Sequence, residues 1–131
     1  IKVNKQMDNL NEKALHKYII NMLEERFLEL GTGFTLAGHE YKIRVDDHTF
    51  KIDLLFFNVN LNAYVVVELK LREYHPKDIG QLEFYVDYVD KNIKLHNHNK
   101  TIGLLIVKKK NKYVIEYVTN RSIYITTYEL T

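Results

Sequence analysis

The chain has 131 residues, of which 46% are apolar and 27% charged. That is enough for one ordinary domain with a real core, leaves no room for a second full-size domain, and excludes wholesale disorder. The absence of cysteine excludes disulfide frameworks, thiolate metal sites and cysteine nucleophiles and leans the compartment towards the cytoplasm, while a net charge of only +2 makes any nucleic-acid footprint depend on where the lysines sit.

The chain opens on Ile1, not methionine, which suggests a cut from a longer chain. Residues 1–7 read as a loose leading segment without a signal-peptide pattern. No apolar run approaches a membrane span, so no membrane partner is expected.

From Asp8 to Leu30 the apolar spacing is helical: Leu15, Ile19, Leu23 and Phe27 form a stripe that Ile20, Leu28 and Leu30 widen. Asn9 or Asn11 can cap its start, and Gly31-Thr32-Gly33 ends it. Two strand-like runs follow, Tyr41–Val45 and Phe50–Phe57, around the turn Asp46-Asp47-His48. A third, Ala63–Leu71, comes after the Asn-rich turn Asn58–Asn62, and the three suggest an antiparallel meander. Val65-Val66-Val67 is apolar on both faces, as a central, doubly covered strand must be.

Pro76 and Asp78 open a second helix that carries Ile79, Leu82, Val86, Val89 and Ile93 on one side. Thr101–Val107 reads as another buried strand, Tyr113–Val118 as helix or strand, and Ile123–Leu130 as the last strand. The order is α-β-β-β-α-β, then a short piece and a final strand: an α/β fold in which helices flank a mixed sheet.

The unusual feature is charge in the most buried strand. Glu68-Leu69-Lys70 follows the three valines, and alternation sends Glu68 and Lys70 one way and Leu69 the other. The preceding strand has its own lone acid, Asp53, in an apolar run. If Asp53 sits opposite Glu68, Leu55 meets Val66 and Phe57 meets Tyr64, and the two acids meet at the open end of the hairpin. A two-residue shift preserves the face, so the face is specified and the exact pairing is not. Two adjacent carboxylates repel and are costly to bury. Mg²⁺ or Mn²⁺, which prefers carboxylate and phosphate oxygens, relieves that cost, and a lysine two residues on can act on an attacking water. The plain alternative is a salt bridge at a strand end. Gln81 and Tyr85, four apart, share a helical face and either reach this site or merely cover the helix shoulder.

Four segments, Ile52–Phe56, Val66–Lys70, Gly80–Tyr85 and Ile102–Leu105, together resemble the PD-(D/E)xK nuclease superfamily. More closely, the chain resembles the YhcG family from about Glu12 to Tyr128, and its Gln-x-x-x-Tyr motif is similar to that of the RecB-type branch. The resemblance implies a restriction-endonuclease-like fold and a metal-dependent nuclease, with DNA the substrate favoured. It also implies that the chain is the C-terminal nuclease domain of a longer protein, after an N-terminal helical domain. A homodimer is compatible with it.

By the same resemblance, Asp53, Glu68 and the Leu69 carbonyl are metal ligands, Lys70 is the catalytic lysine, and Gln81 and Tyr85 position phosphate or support the site. Many relatives carry a Glu on the first helix; Glu12 is the candidate here, with Glu24 and Glu25 as competitors. The proline of the superfamily name is replaced by Ile52. For nucleic-acid contact the candidates are His75, in the loop after the Glu-x-Lys strand, and the cationic turn Lys108-Lys109-Lys110 with Lys112, although charge runs are usually solvated hairpin tips. His96-Asn97-His98 lies in a polar loop, and His16, His39 and His48 give no specific signal. The competing function is a non-catalytic nucleic-acid-binding or assembly module on the same fold.

Overall fold

In the computed structural model, which describes residues 1–109 and 122–131, the leading segment is not loose. Lys2–Val3 (β1) adds in parallel to the last strand, with Val3 opposite Leu130, and Val3 is buried. A 3-10 turn at Lys5–Asn9 follows, capped by the Asn4 side chain, which accepts the Gln6 N–H. The partner strand lies at the other end of the chain, so nothing local announced this pairing.

The first long helix, α1, runs from Glu12 to Leu30, later than the apolar pattern alone implied. Of the two candidate caps, Asn11 is used: its side chain accepts the Ala14 N–H at 2.8 Å. Leu15, Ile19, Ile20 and Leu23 are its buried residues.

Three antiparallel strands then form the expected meander. They are Phe34–Val45 (β2), His48–Asn58 (β3) and Ala63–Leu69 (β4). The β2–β3 hairpin closes through Asp46 and Asp47, and Asp46 takes a left-handed φ of 55°, which Asp tolerates better than most residues. Leu55 lies opposite Val66 and Phe57 opposite Tyr64, the pairing expected if Asp53 sits opposite Glu68. After β4 the chain crosses through Pro76–Asn92 (α2) to Ile102–Lys108 (β5), parallel to β4. Ile123–Leu130 (β6) lies parallel to β5. Among the described residues the sheet has six strands in the order β1-β6-β5-β4-β3-β2. Tyr113–Val118, read as helix or strand, lies outside the described residues.

The two helices cover opposite faces. On one, α1 packs on Leu54, Phe56, Val65, Val67, Leu69 and Ile106. On the other, Leu82, Val86 and Val89 of α2 pack on Ile52, Leu55, Val66 and Leu105. The three valines therefore divide between two cores, which is why the run needs no polar face.

Gly103 of β5 lets α2 come this close. A Cβ there would stand 2.7 Å from Ile123 Cδ1 and 3.0 Å from both Leu82 Cγ and Val86 Cγ2. Gly103→Val is expected to destabilise the fold by about 1–3 kcal/mol through overpacking, read as a lower urea midpoint at unchanged slope.

Candidate active site

Backbone pairing between β3 and β4 stops at Leu54 and Val67. Beyond it the two acids replace the ladder. The Asp53 N–H donates to Glu68 Oε1 at 2.8 Å, and the Leu69 N–H donates to Asp53 Oδ2 at 2.8 Å. Each carboxylate thus satisfies an amide of the other strand where the strands part. Strand β4 ends at Leu69, two residues short of the expected Leu71, although the Lys70 N–H still donates to the Ile106 carbonyl of β5.

The expectation that Asp53, Glu68 and Lys70 share one regular strand face needs correcting. Ile52 packs on the α2 side and Leu54 on the α1 side, so alternation breaks at Asp53. Opposite the break, Glu40 has a left-handed φ of 48°. What joins the acids is the open end of the hairpin. The kink aims Asp53 so that its carboxylate reaches α1 as well as β4.

On α1 the contact is His16, a residue to which the sequence reading attached no role. Its Nε2 is 3.2 Å from Asp53 Oδ2 and 3.2 Å from the Leu69 carbonyl. Both neighbours are acceptors, so Nε2 carries the proton. The hydrogen bond to Asp53 raises the His16 pKa; burial opposes the shift, and the Asp53 charge and the Leu69 carbonyl add to it. Glu12, the sequence candidate on this helix, lies one turn earlier and is exposed. It lines a cleft of about 500 Å³ together with Lys13, His16, Leu69, Lys70, Leu71 and Arg72. His16, not Glu12, touches Asp53. Of the competitors, Glu24 is taken up by His39 Nδ1 at 2.8 Å and Glu25 is exposed.

Glu68 is 4% exposed. Burial, and then the nearby Asp53 charge, push its carboxyl well above the usual carboxylate range. Lys70 works in the opposite direction, lowering it by its charge. Lys70 is half-buried and makes no ion pair within 4 Å among the described residues. It lines both the α1 cleft and a smaller one of about 300 Å³ with Arg72, Lys77, Asp78 and Gln81.

That smaller cleft lies at the start of α2. Gln81 Nε2 donates to the Tyr85 hydroxyl at 3.4 Å. Tyr85 is buried, and burial together with the Glu68 and Asp53 charges pushes its hydroxyl up to about 12. Tyr85 thus lies close enough to feel both acid charges, and Gln81 lines the smaller cleft with Lys70. Arg72, which the sequence reading also passed over, grips the buried Asp78 with two hydrogen bonds of 2.9 and 2.6 Å. Burial alone would raise the Asp78 pKa, but the Arg72 bonds, the His75 N–H and the Arg72 charge outweigh it and hold the group low.

His75 has a local task. It is the N-cap of α2: its Nδ1 accepts the Lys77 N–H at 3.1 Å, and its own N–H donates to Asp78 in a capping box. In the cationic turn, Lys108 is exposed at the end of β5, and Lys109 is paired with Glu129 at 3.7 Å. Lys110 and Lys112 lie outside the described residues. His98 packs against the Phe57 ring, with ring centres 4.8 Å apart, and its Nδ1 accepts the Leu95 N–H.

The donor set suits a hard cation, but its oxygens are engaged by N–H groups. Among the described residues no three His, Asp or Glu side chains form a ready cage. The His16 N–H takes up Asp53 Oδ2 and the Leu69 carbonyl, and the Asp53 N–H takes up Glu68 Oε1. One positively polarised donor already stands where two oxygens converge, which is the environment a divalent ion prefers.

Comparison with known proteins agrees with this architecture. A family model described as the YhcG PDDEXK nuclease domain matches residues 2–131. Over 103 residues the chain is 34% identical to an Escherichia coli (strain K12) protein named "Putative nuclease YhcG", a match covering 79% of this chain and 28% of that protein. The chain thus spans under a third of that relative's length. Among solved structures, a repair endonuclease from Pyrococcus abyssi superposes with a TM-score of 0.57 at 18% identity, over 84% of this chain and 46% of that one. An EndoMS complex with double-stranded DNA gives 0.53 at 20% identity, over 84% and 44%. These two share the restriction-endonuclease-like fold, and the family model over residues 2–131 makes the chain a member of the YhcG PDDEXK nuclease domain family.

Proposed function

We propose that this domain hydrolyses phosphodiester bonds in DNA with the help of Mg²⁺ or Mn²⁺. The observation that carries the reading is the convergence of Asp53 Oδ2 and the Leu69 carbonyl on the His16 N–H, 3.2 Å from each, beside a buried Glu68 whose charge is disfavoured without a cation. Asp53, Glu68 and the Leu69 carbonyl would hold the ion. When bound, it would polarise the phosphate and lower the pKa of a coordinated water.

The chain's own groups supply the rest. Lys70, free of ion pairs among the described residues and beside Glu68, orients the attacking water and offsets charge that develops on the phosphate. Gln81 and Lys77 hold a phosphate oxygen in the smaller cleft. Tyr85, buried and held protonated, keeps Gln81 in place and can only donate towards the acids.

Support for DNA comes from the EndoMS complex, whose partner is double-stranded DNA. The test is a calorimetric Mn²⁺ titration beside a cleavage assay on labelled DNA. Saturable Mn²⁺ binding with ion-dependent cleavage is expected. A protein that binds no Mn²⁺ overturns the metal site, and one that binds Mn²⁺ and DNA but cuts neither single nor double strands is a binding module.

A further inference from the structure

We infer that the exposed face of the β2–β3 hairpin beyond Asp53 is a track for the phosphate backbone of the DNA strand bound at the site. This rests on the nuclease reading above and adds where the substrate lies.

The hairpin runs on past the kink at Asp53. There α2 covers one of its faces: Ile43 and Ile52 are buried in the α2 core. Alternation places Lys42, Arg44, Thr49 and Lys51 on the other face, and all four are exposed. The register sets Lys42 directly opposite Lys51 and Arg44 opposite Thr49. Three cations therefore share one uncovered face of a two-stranded ribbon.

A ribbon selected only for its own stability would not look like this. Like charges directly opposite each other destabilise an antiparallel pair. None of the three cations has an acidic partner within 4 Å among the described residues. Arg44 Nε reaches only a backbone carbonyl, that of Asp46, at 3.5 Å. The acids of the hairpin lie at its turn, Asp46 and Asp47, and at the kink, Glu40. By contrast, Lys109 of the cationic turn already has Glu129.

A polyanion removes the mutual repulsion, and the position suits one. Lys51 is two residues from Asp53, about 7 Å along an extended strand. One DNA strand carries a charge every ~3.4 Å of helix rise. A strand whose phosphate lies at Asp53 would therefore bring its next phosphates over Lys51 and Lys42, and later ones over Arg44.

The experiment compares the parent with K42A/R44A/K51A and with K2A/K5A/K100A, which removes the same charge from exposed positions elsewhere. Binding of a fluorescein-labelled 20-base-pair duplex is followed by anisotropy in EDTA over a range of KCl. Loss of three phosphate contacts lowers the slope of log K against log salt by about 2–3. The hairpin variant is expected to show that drop, with at least tenfold weaker binding at low salt, and to melt no earlier than the parent because a repulsive pair is gone. The control triple is expected to retain most of the slope, and K42R/K51R to bind like the parent. An unchanged slope in the hairpin variant, or an equal loss in the control, overturns the track. The two readings fail separately. A parent that cuts DNA with Mn²⁺ while the hairpin variant keeps its slope refutes only the track. A parent that binds through the hairpin but takes up no Mn²⁺ refutes only the metal site.

Discussion

Lys70→Ala is expected to slow DNA cleavage by about 10²–10⁴-fold while Mn²⁺ titrates much as in the parent. The proposed ligands of the ion are oxygens of Asp53, Glu68 and the Leu69 backbone, to which the Lys70 ammonium would add none. Its effect belongs to the transition state, on the attacking water and on charge at the phosphate. Asp53→Ala is expected to abolish both cleavage and Mn²⁺ binding. From the sequence, neither replacement would touch the fold. The structure alters that for Asp53, whose carboxylate accepts the Leu69 N–H and meets His16. Its removal leaves a backbone donor short of a partner, a cost of about 1–3 kcal/mol, partly offset by relief of the charge on Glu68. Asp53→Asn keeps an acceptor there and is the cleaner variant for the titration. A Lys70→Ala protein that cuts as fast as the parent, or an Asp53→Asn protein that binds Mn²⁺ unchanged, would refute the assignment.

Glu68→Gln is expected to stabilise the metal-free protein at neutral pH by about 1–3 kcal/mol and to abolish Mn²⁺ binding. Gln keeps an oxygen for the Asp53 N–H but carries no charge beside Asp53. The pH dependence has a definite sign. In the fold the Glu68 pKa lies above its ordinary value, so the folded state holds this proton more tightly than the unfolded chain. The parent therefore loses stability as pH rises from the unfolded pKa of 4.5 towards the folded one, and the loss then levels off. Below that window Glu68 is neutral in both states and the parent and variant should agree. Urea unfolding in EDTA at several pH values reads this out. A gap between the two proteins that does not widen with pH would show that Glu68 is not a strained acid.

How much of this was legible beforehand depended on how local each cause is. The alternation of Leu55 and Phe57 against Val66 and Tyr64 specified which residues share a face of the β3–β4 pair, but a two-residue shift would have kept that face, so the exact register came from the structure. Helix α2 announced itself through Pro76 and Asp78, since capping uses residues three apart in the chain. Asp53 and Glu68 stood out as lone acids in apolar strands, and the cost of burying them pointed to their chemistry. Their reciprocal grip on each other's backbone, however, exists only because the ladder stops and Asp53 kinks. Strand β1 needed the other end of the chain. His16 became part of the site only when α1 crossed the sheet and set its ring against Asp53 and Leu69, which lie 37 and 53 residues further along the chain. By itself the sequence determined the helices, most of the meander and the identity of the two acids, because alternation and capping act between near neighbours. The tertiary structure alone decided which imidazole faces the acids and which cations lie uncovered beside them, because those depend on how elements distant in the chain are packed.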